Sequence, residues 1–382
     1  MWLKIKLPSA NIRKSCKSAG KMGMLRNIFL VLGLSSVAMA QEEPKKGHTP
    51  FEVFVPNMAP GFEIEGSLLF LRPAADNLGW GVQTYFLPLI TPHWSIKAIH
   101  PSYQPAFNIG IRYVFAHTGI DTQLNWTHLR TSDSDSVSVT PIQQWISPFS
   151  QTGPGTGDTT YDPTGVGELT EAKAKVDFHY DVVNLDVGTN VNIGPHMQIR
   201  LFSGLSGIRI KERLTSTFQH PAPPPSLLLE NTSTYLGMGP RLGLVNVYTL
   251  YSTFRFIGEF AAGLLFGSMQ PAEYKFTGSS ASLEAVGVSS NRESVQSKSV
   301  SQVVPSLEGS LGLDGSYHFC RGYILTLEVG YMGAIYLNAL SGYETNENIL
   351  PLELGSLSTG SMKHVQSDFS VNGPYATLSL KF

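Results

Sequence analysis

The sequence predicts an all-β protein: a transmembrane antiparallel up-and-down β-barrel of about ten strands, with long extracellular loops and short periplasmic turns. Three observations carry that expectation. Apolar and polar residues alternate with a period of two over many separate stretches, and the connections between those stretches alternate between short and long. An export leader precedes a chain in which no later apolar run reaches the 18 residues a membrane helix needs.

The alternation is cleanest from Ala172 to Val182. Ala172, Ala174, Val176, Phe178, Tyr180 and Val182 form one row; Lys173, Lys175, Asp177, His179 and Asp181 form the other. Successive side chains of a strand point to opposite faces, whereas a helix would scatter both sets. In a soluble sandwich the polar row would meet water. In a membrane barrel the apolar row meets lipid and the polar row lines the lumen, so the charged row is expected inside.

Positions 1–40 hold seven Lys or Arg and no acid, then the apolar run Ile28 to Val37 and the small residues Ala38 and Ala40. That is the pattern of a cleaved signal peptide. Met22 or Met24 would give a more ordinary start. Without this leader the chain is nine charges acidic, which disfavours nucleic acid as a partner. Cys16 leaves with the leader and Cys320 remains alone, so no internal disulfide is expected, although Cys320 could bond to another molecule.

Residues 41–60 read as a periplasmic tail in which Phe51 to Val55 could form a short strand or a plug, and 61–382 as the barrel. The first strand runs from Gly61 to Arg72. A long segment follows to Pro105, read as a loop; a hairpin at Gly81–Leu87 and Ser95–Ile99 would raise the count to twelve. Phe107 to Phe115 and Ile120 to Trp126 alternate cleanly around a turn that Gly119 can close with positive φ. Ser132 to Gly167 is rich in Ser, Thr, Gly, Pro and Asp and reads as an exposed loop. The strand beginning at Ala172 continues to about Thr189, but Leu185 and Val187 fall on the opposite parity, which predicts a bulge after Val182.

A turn at Ile193–His196 leads into Met197–Lys211, and the prolines of Gln219–Ser226 mark another loop. Leu236 to Leu244 and Phe254 to Phe266 are joined near Tyr248–Ser252. Met269 to Ser299 reads as a loop, Val303–Tyr317 and Tyr323–Tyr331 are joined at His318–Arg321, and Ser341 to Ser367 is the last loop. The final strand ends on Phe382, a terminal aromatic of the kind that serves as an assembly signal. Trp126, Tyr113, Phe115, Tyr317, Tyr323, Tyr336 and Phe382 are expected in interfacial aromatic girdles.

His100-Pro-Ser-Tyr103 leading into Phe107–Phe115, then Gly119–Thr127, Asp177–Gly188 and Gly237–Gly243, resemble segments of the Legionella-type major outer membrane protein family. The similarity spans about Gly61 to Phe382. It implies an abundant, surface-exposed, porin-like barrel in a Gram-negative outer membrane. Family members rely on several cysteines for crosslinking, whereas only Cys320 remains here after the leader.

No Gly-x-Ser-x-Gly, His-Glu-x-x-His, phosphate loop or Cys/His metal spacing occurs, so no catalytic residue, metal or cofactor is expected. Gly237–Gly243 has the wrong spacing for a dinucleotide fingerprint and lies inside a strand. His179 and Asp181 are the nearest approach to the His and Asp residues of a barrel-mouth protease. The expected lumen residues are Arg112, Asp121, Lys173, Lys175, Asp177, His179, Asp181, Arg255, Glu259, Glu308, Asp314 and Glu328. Two functions remain open: a narrow porin for ions or small solutes, and a structural or adhesive barrel acting through its loops. The expected partners are outer-membrane lipid and lipopolysaccharide, the outer-membrane assembly machinery, a second copy of the chain and host surfaces. Eight strands give an interior filled by side chains and open channels need 16 to 18, so ten leave little room.

Overall fold

The computed structural model describes residues 53–56, 58–85, 93–139, 144–148, 170–219, 226–251, 253–270, 273–278, 291–296, 298–319, 322–350 and 357–382. The leader expected over 1–40 and Cys320 lie outside the described residues.

The described residues form strands β1 (Val53–Phe54), β2 (Gly61–Ala75), β3 (Gly79–Tyr85), β4 (His93–Ala98), β5 (Gln104–Val114), β6 (Ile120–Ser138), β7 (Gln144–Pro148) and β8 (Glu171–Ile193). They continue as β9 (Met197–Gln219), β10 (Ser226–Thr249), β11 (Phe254–Met269), β12 (Glu273–Gly278), β13 (Asn291–Gln296), β14 (Val300–His318), β15 (Ile324–Leu350) and β16 (Leu357–Lys381). Strands β2, β5, β6, β8, β9, β10, β11, β14, β15 and β16 pair in that antiparallel order, and β16 returns to β2, so ten strands close a ring. Closure abolishes the unpaired edges an open sheet would present. At the seam the Phe62 amide donates to the Phe382 carbonyl at 3.0 Å and the Phe382 amide to the Phe62 carbonyl at 2.9 Å.

A hairpin does occupy the segment before Pro105, but it does not enter the ring. Strands β3 and β4 join β7 in a separate three-stranded sheet, and Trp80 of β3 packs 6.0 Å from Phe218 of β9. The barrel therefore has ten strands and not twelve. Strand β1 pairs with the last residues of β8, so the 41–60 segment contributes a short strand at the turn end. Gly119 takes φ +65° in the β5–β6 turn, where its carbonyl accepts the Asn190 side-chain amide at 3.0 Å. A side chain there would be strained by the backbone alone.

Each long strand divides into two zones. In the half nearest the short turns, Phe62, Ile64, Ile111, Leu124, Leu185, Leu201, Leu242, Phe256, Leu311 and Leu378 face outward and exposed, the apolar band a bilayer requires. Aromatic residues cluster at its turn-side rim, where Phe62 lies tilted 4.7 Å from Tyr113 and stacks 6.2 Å from Phe382. In the half nearest the loops the apolar side chains point inward. Val176, Phe178, Ile210, Phe218, Tyr235, Leu265, Tyr336 and Phe369 are buried there in one core.

Several expectations are corrected by this inversion. There is no bulge after Val182, because β8 keeps an unbroken register with β6 and with β9 from Glu171 to Ile193. Even-numbered residues face inward throughout; what changes is which face is apolar. Tyr336 belongs to the buried core and not to a girdle. Much of the segment read as the last loop is paired strand, from Leu340 opposite Ser367 to Leu350 opposite Leu357. Likewise β6 extends to Ser138, and β12 and β13 form a hairpin alongside β10 within the segment read as a loop after Met269.

Candidate functional site

The inward row of the turn half is polar, and its side chains surround a cavity of about 500 Å³. The same period that turns the apolar residues toward lipid places these groups inside. Glu63 and Glu65 come from β2, Arg112 from β5, Asp186 from β8, Arg200 from β9 and Arg241 from β10. Arg255 and Glu259 come from β11, Glu308 and Asp314 from β14, and Glu328 from β15.

Three ion-paired groups organise the wall. Asp121, fully buried, accepts from Arg112 Nη2 at 2.6 Å, from Arg200 Nε at 2.8 Å and Nη2 at 2.6 Å, and from Asn190 Nδ2 at 2.8 Å. Arg241, also buried, donates to Glu308 at 3.0 Å and lies 3.4 Å from Asp186 and 3.8 Å from Glu259. Both Arg200 and Arg241 lie over the Phe202 ring, at 5.1 and 5.2 Å, so one aromatic ring stabilises two guanidinium groups. Nearer the turns, Arg255 is paired with Asp314 and donates to Ser316 at 3.2 Å. The Tyr375 hydroxyl donates to Glu328 at 2.5 Å. Buried charges persist in a protein when they are paired and hydrogen-bonded in this way, because an unpaired one carries its full desolvation cost.

Toward the loops the cavity meets apolar side chains, and β8, β9, β11 and β14 show the same order. On β8, Asp186 and Asn184 give way to Val182, Tyr180 and Phe178; on β9, Arg200 gives way to Ile208 and Ile210. On β11, Glu259 gives way to Leu265, and on β14, Glu308 gives way to Val304. Across this layer Phe178, Tyr180 and Tyr336 lie 5.6 to 6.4 Å from Phe369, and the Tyr180 and Tyr336 hydroxyls bond at 2.8 Å. Tyr336 also donates to Glu308 at 3.3 Å, which joins the apolar layer to the cavity below.

Of the residues expected in the lumen, Arg112, Arg255, Glu259, Glu308, Asp314 and Glu328 line the cavity, and Asp121 is buried in its wall. Lys173, Lys175, Asp177, His179 and Asp181 do not. They face the outside of the loop half, because β8 keeps one parity while its apolar row moves indoors. There Asp181 accepts from His128 Nδ1 at 2.7 Å, and Lys175 lies 3.0 Å from Asp177. The His179 and Asp181 considered for protease-like chemistry thus stand on the outer wall, away from the barrel interior. Glu63, Glu65, Asp186, Arg200 and Arg241 were missed, although all but Glu65, which lies between Ile64 and Gly66, sit between two apolar residues of an alternating stretch and the period of two identifies them. Among the described residues no group of three or more His, Cys, Asp and Glu is arranged to hold a metal ion. Phe382 is exposed on the lipid side of the seam.

A family described as "Legionella pneumophila major outer membrane protein precursor" matches residues 54–382. Curated protein sequences give no significant match. Among solved structures, the outer membrane protease OmpT from Escherichia coli is similar at 11% identity and TM-score 0.43, over 85% of this chain and 99% of that one. The CymD monoaromatic hydrocarbon channel is similar at 9% identity and TM-score 0.32, over 85% and 88%. The toluene transporter TodX of Pseudomonas putida is similar at 8% identity and TM-score 0.21, over 84% and 90%.

Proposed function

This chain belongs to the Legionella pneumophila major outer membrane protein family, and from that premise we propose that it serves as a closed structural barrel of the outer membrane, acting at the cell surface through its loop end. The observation that carries this reading is the apolar layer across the interior. Phe178, Tyr336, Phe369, Leu265 and Val304 are each at most 1% exposed, and all lie on the loop side of the charged cavity. Water and ions crossing the barrel would have to open that layer. The polar groups within that layer are already hydrogen-bonded to protein, the Tyr180 hydroxyl to Tyr336 and the Glu212 carboxylate to Asn77, so a close-packed aromatic layer offers little with which to replace an ion's hydration shell.

A second reading, a narrow porin for ions or small solutes, is supported by the 500 Å³ charged cavity on the turn side. It requires the apolar layer to part. Single-channel recording of the purified protein in a planar bilayer separates the two. The closed-barrel reading expects inserted protein without steady conductance; a steady open level in the unmodified protein overturns it and favours the porin.

A further inference from the structure

Immediately above the apolar band, the outer wall of β6, β8 and β9 carries cations that neither reading uses. Arg130 pairs in register with His179 and His179 with Lys211, so three basic side chains stand in one row across three neighbouring strands. Arg209 and Arg213 flank Lys211 on the same face of β9, in register with Asp181 and Asp177. With strands about 4.8 Å apart and alternate residues about 7 Å apart, the group fits within roughly 15 Å.

The acids of this face are already engaged. Asp181 is bound by His128, and Asp177 is 3.0 Å from Lys175. Among the described residues, Arg130, Arg209, Lys211 and Arg213 make no ion pair. Arg130 and Lys211 stand on either side of the His179 imidazole with no acid in register between them, so the row leaves two cations for a mobile anion to offset. Directly below, Trp126, Val183 and Leu205 are exposed and apolar. An anion resting here would therefore have cations at its head and an apolar wall beneath it.

We propose that this cluster binds the phosphates of the phosphorylated glycolipid that forms the outer leaflet, with its acyl chains lying on the apolar wall below. Guanidinium groups match phosphate oxygens in pairs, and the long Arg and Lys stems reach toward the headgroup level while their methylenes stay on apolar surface. A free phosphate would gain the charge contacts but not the apolar ones, so the position selects a lipid. The proposal rests on the loop end facing outward, which protease cutting of intact cells reports independently.

The test offers the full barrel an equimolar mixture of bisphosphorylated and dephosphorylated lipid A of the same acyl composition in detergent, and reads bound lipid by native mass spectrometry. The unmodified protein should enrich the phosphorylated form on the order of tenfold, as expected for several basic groups acting on one anionic headgroup. The triple variant R130Q/K211Q/R213Q should lose the enrichment, while R130K/R213K keeps it. A charge-matched control, R72Q/K275Q/K298Q, should behave as the unmodified protein. Equal binding of the two lipids by the unmodified protein, which needs no variant to fold, overturns the proposal. So does equal loss in the control, or full displacement by millimolar inorganic pyrophosphate, which would assign the cluster to soluble phosphates.

Discussion

Between Ala172 and Val182, β8 turns its apolar side chains inward and its charged ones outward; between Val183 and Val187 the same strand turns Val183, Leu185 and Val187 outward and Asn184 and Asp186 inward. The backbone does not change: the pairing register runs through Val182 without a break on both sides. What changes is the medium outside. A strand leans its apolar row toward whatever lacks water, which is lipid in the turn half and the protein's own core in the loop half. The residue where the rows exchange therefore marks the height at which the bilayer ends. It also explains the interior, since the half surrounded by lipid keeps its polar side chains for the cavity, and the half surrounded by water keeps its apolar side chains for the packed core beyond it.

The largest effect is expected inside the loop half. Phe178→Ala removes a fully buried ring from the layer between Tyr180 and Phe369, and should destabilise the barrel by about 3–5 kcal/mol. At an inward position of the turn half, Ser379→Ala borders the cavity and should change stability by about 0.5 kcal/mol or less. Denaturant titration of the protein folded in lipid vesicles measures both. Equal losses would mean that the two interiors do not differ as described.

Outward positions should show the reverse ranking of the halves. Leu311→Arg places a cation in the apolar band of β14 and should cost about 2–4 kcal/mol if it lies near the bilayer midplane. Ser134→Arg, outward on β6 in the loop half, meets water and should stay within about 0.5 kcal/mol. A similar pair of costs would place lipid against both halves and remove the boundary near Val183. Between these sits the buried charge hub, where Asp121→Ala leaves Arg112 and Arg200 without their shared carboxylate. Its expected cost of about 3–5 kcal/mol is comparable to that of Phe178→Ala, although its cause is electrostatic.

The turn half was legible in the sequence because lipid outside and charge inside give strict alternation with a constant meaning. Ile109 and Ile111 against Arg112, or Leu311 and Leu313 against Asp314, could be assigned to faces without coordinates. The loop half alternates just as cleanly from Ala172 to Val182, yet its meaning is inverted, and a period of two carries no sign. The change of parity at Leu185 was the available signal. It is a bulge if the medium is constant and a boundary if the backbone is constant, and the polar flanks Lys173 and Lys175 agree with either. The paired part of β15 and β16 beyond Ser341 was hidden for a related reason: where neither face meets lipid, strand residues need not be apolar on either side, and their composition resembles that of loops.

The smallest effect is expected from Lys173→Glu with Lys175→Glu, the pair that would matter most if the charged row of β8 lined a pore. Both side chains are exposed on the outer wall of the loop half, and the aromatic layer lies between them and the cavity. Water on their own side screens them over about 8 Å at physiological salt. Stability should therefore change by no more than about 0.5 kcal/mol. In any conducting form, whether unmodified or loosened by Phe178→Ala, the reversal potential should stay where it was. Glu259→Gln with Glu308→Gln, which removes two carboxylates from the cavity lining, should move the reversal potential of the same form toward anions, because the charges that concentrate ions are those the ions pass. Sensitivity to Lys173 and Lys175 with indifference to Glu259 and Glu308 would return the charged row of β8 to the interior and reverse the assignment of both halves.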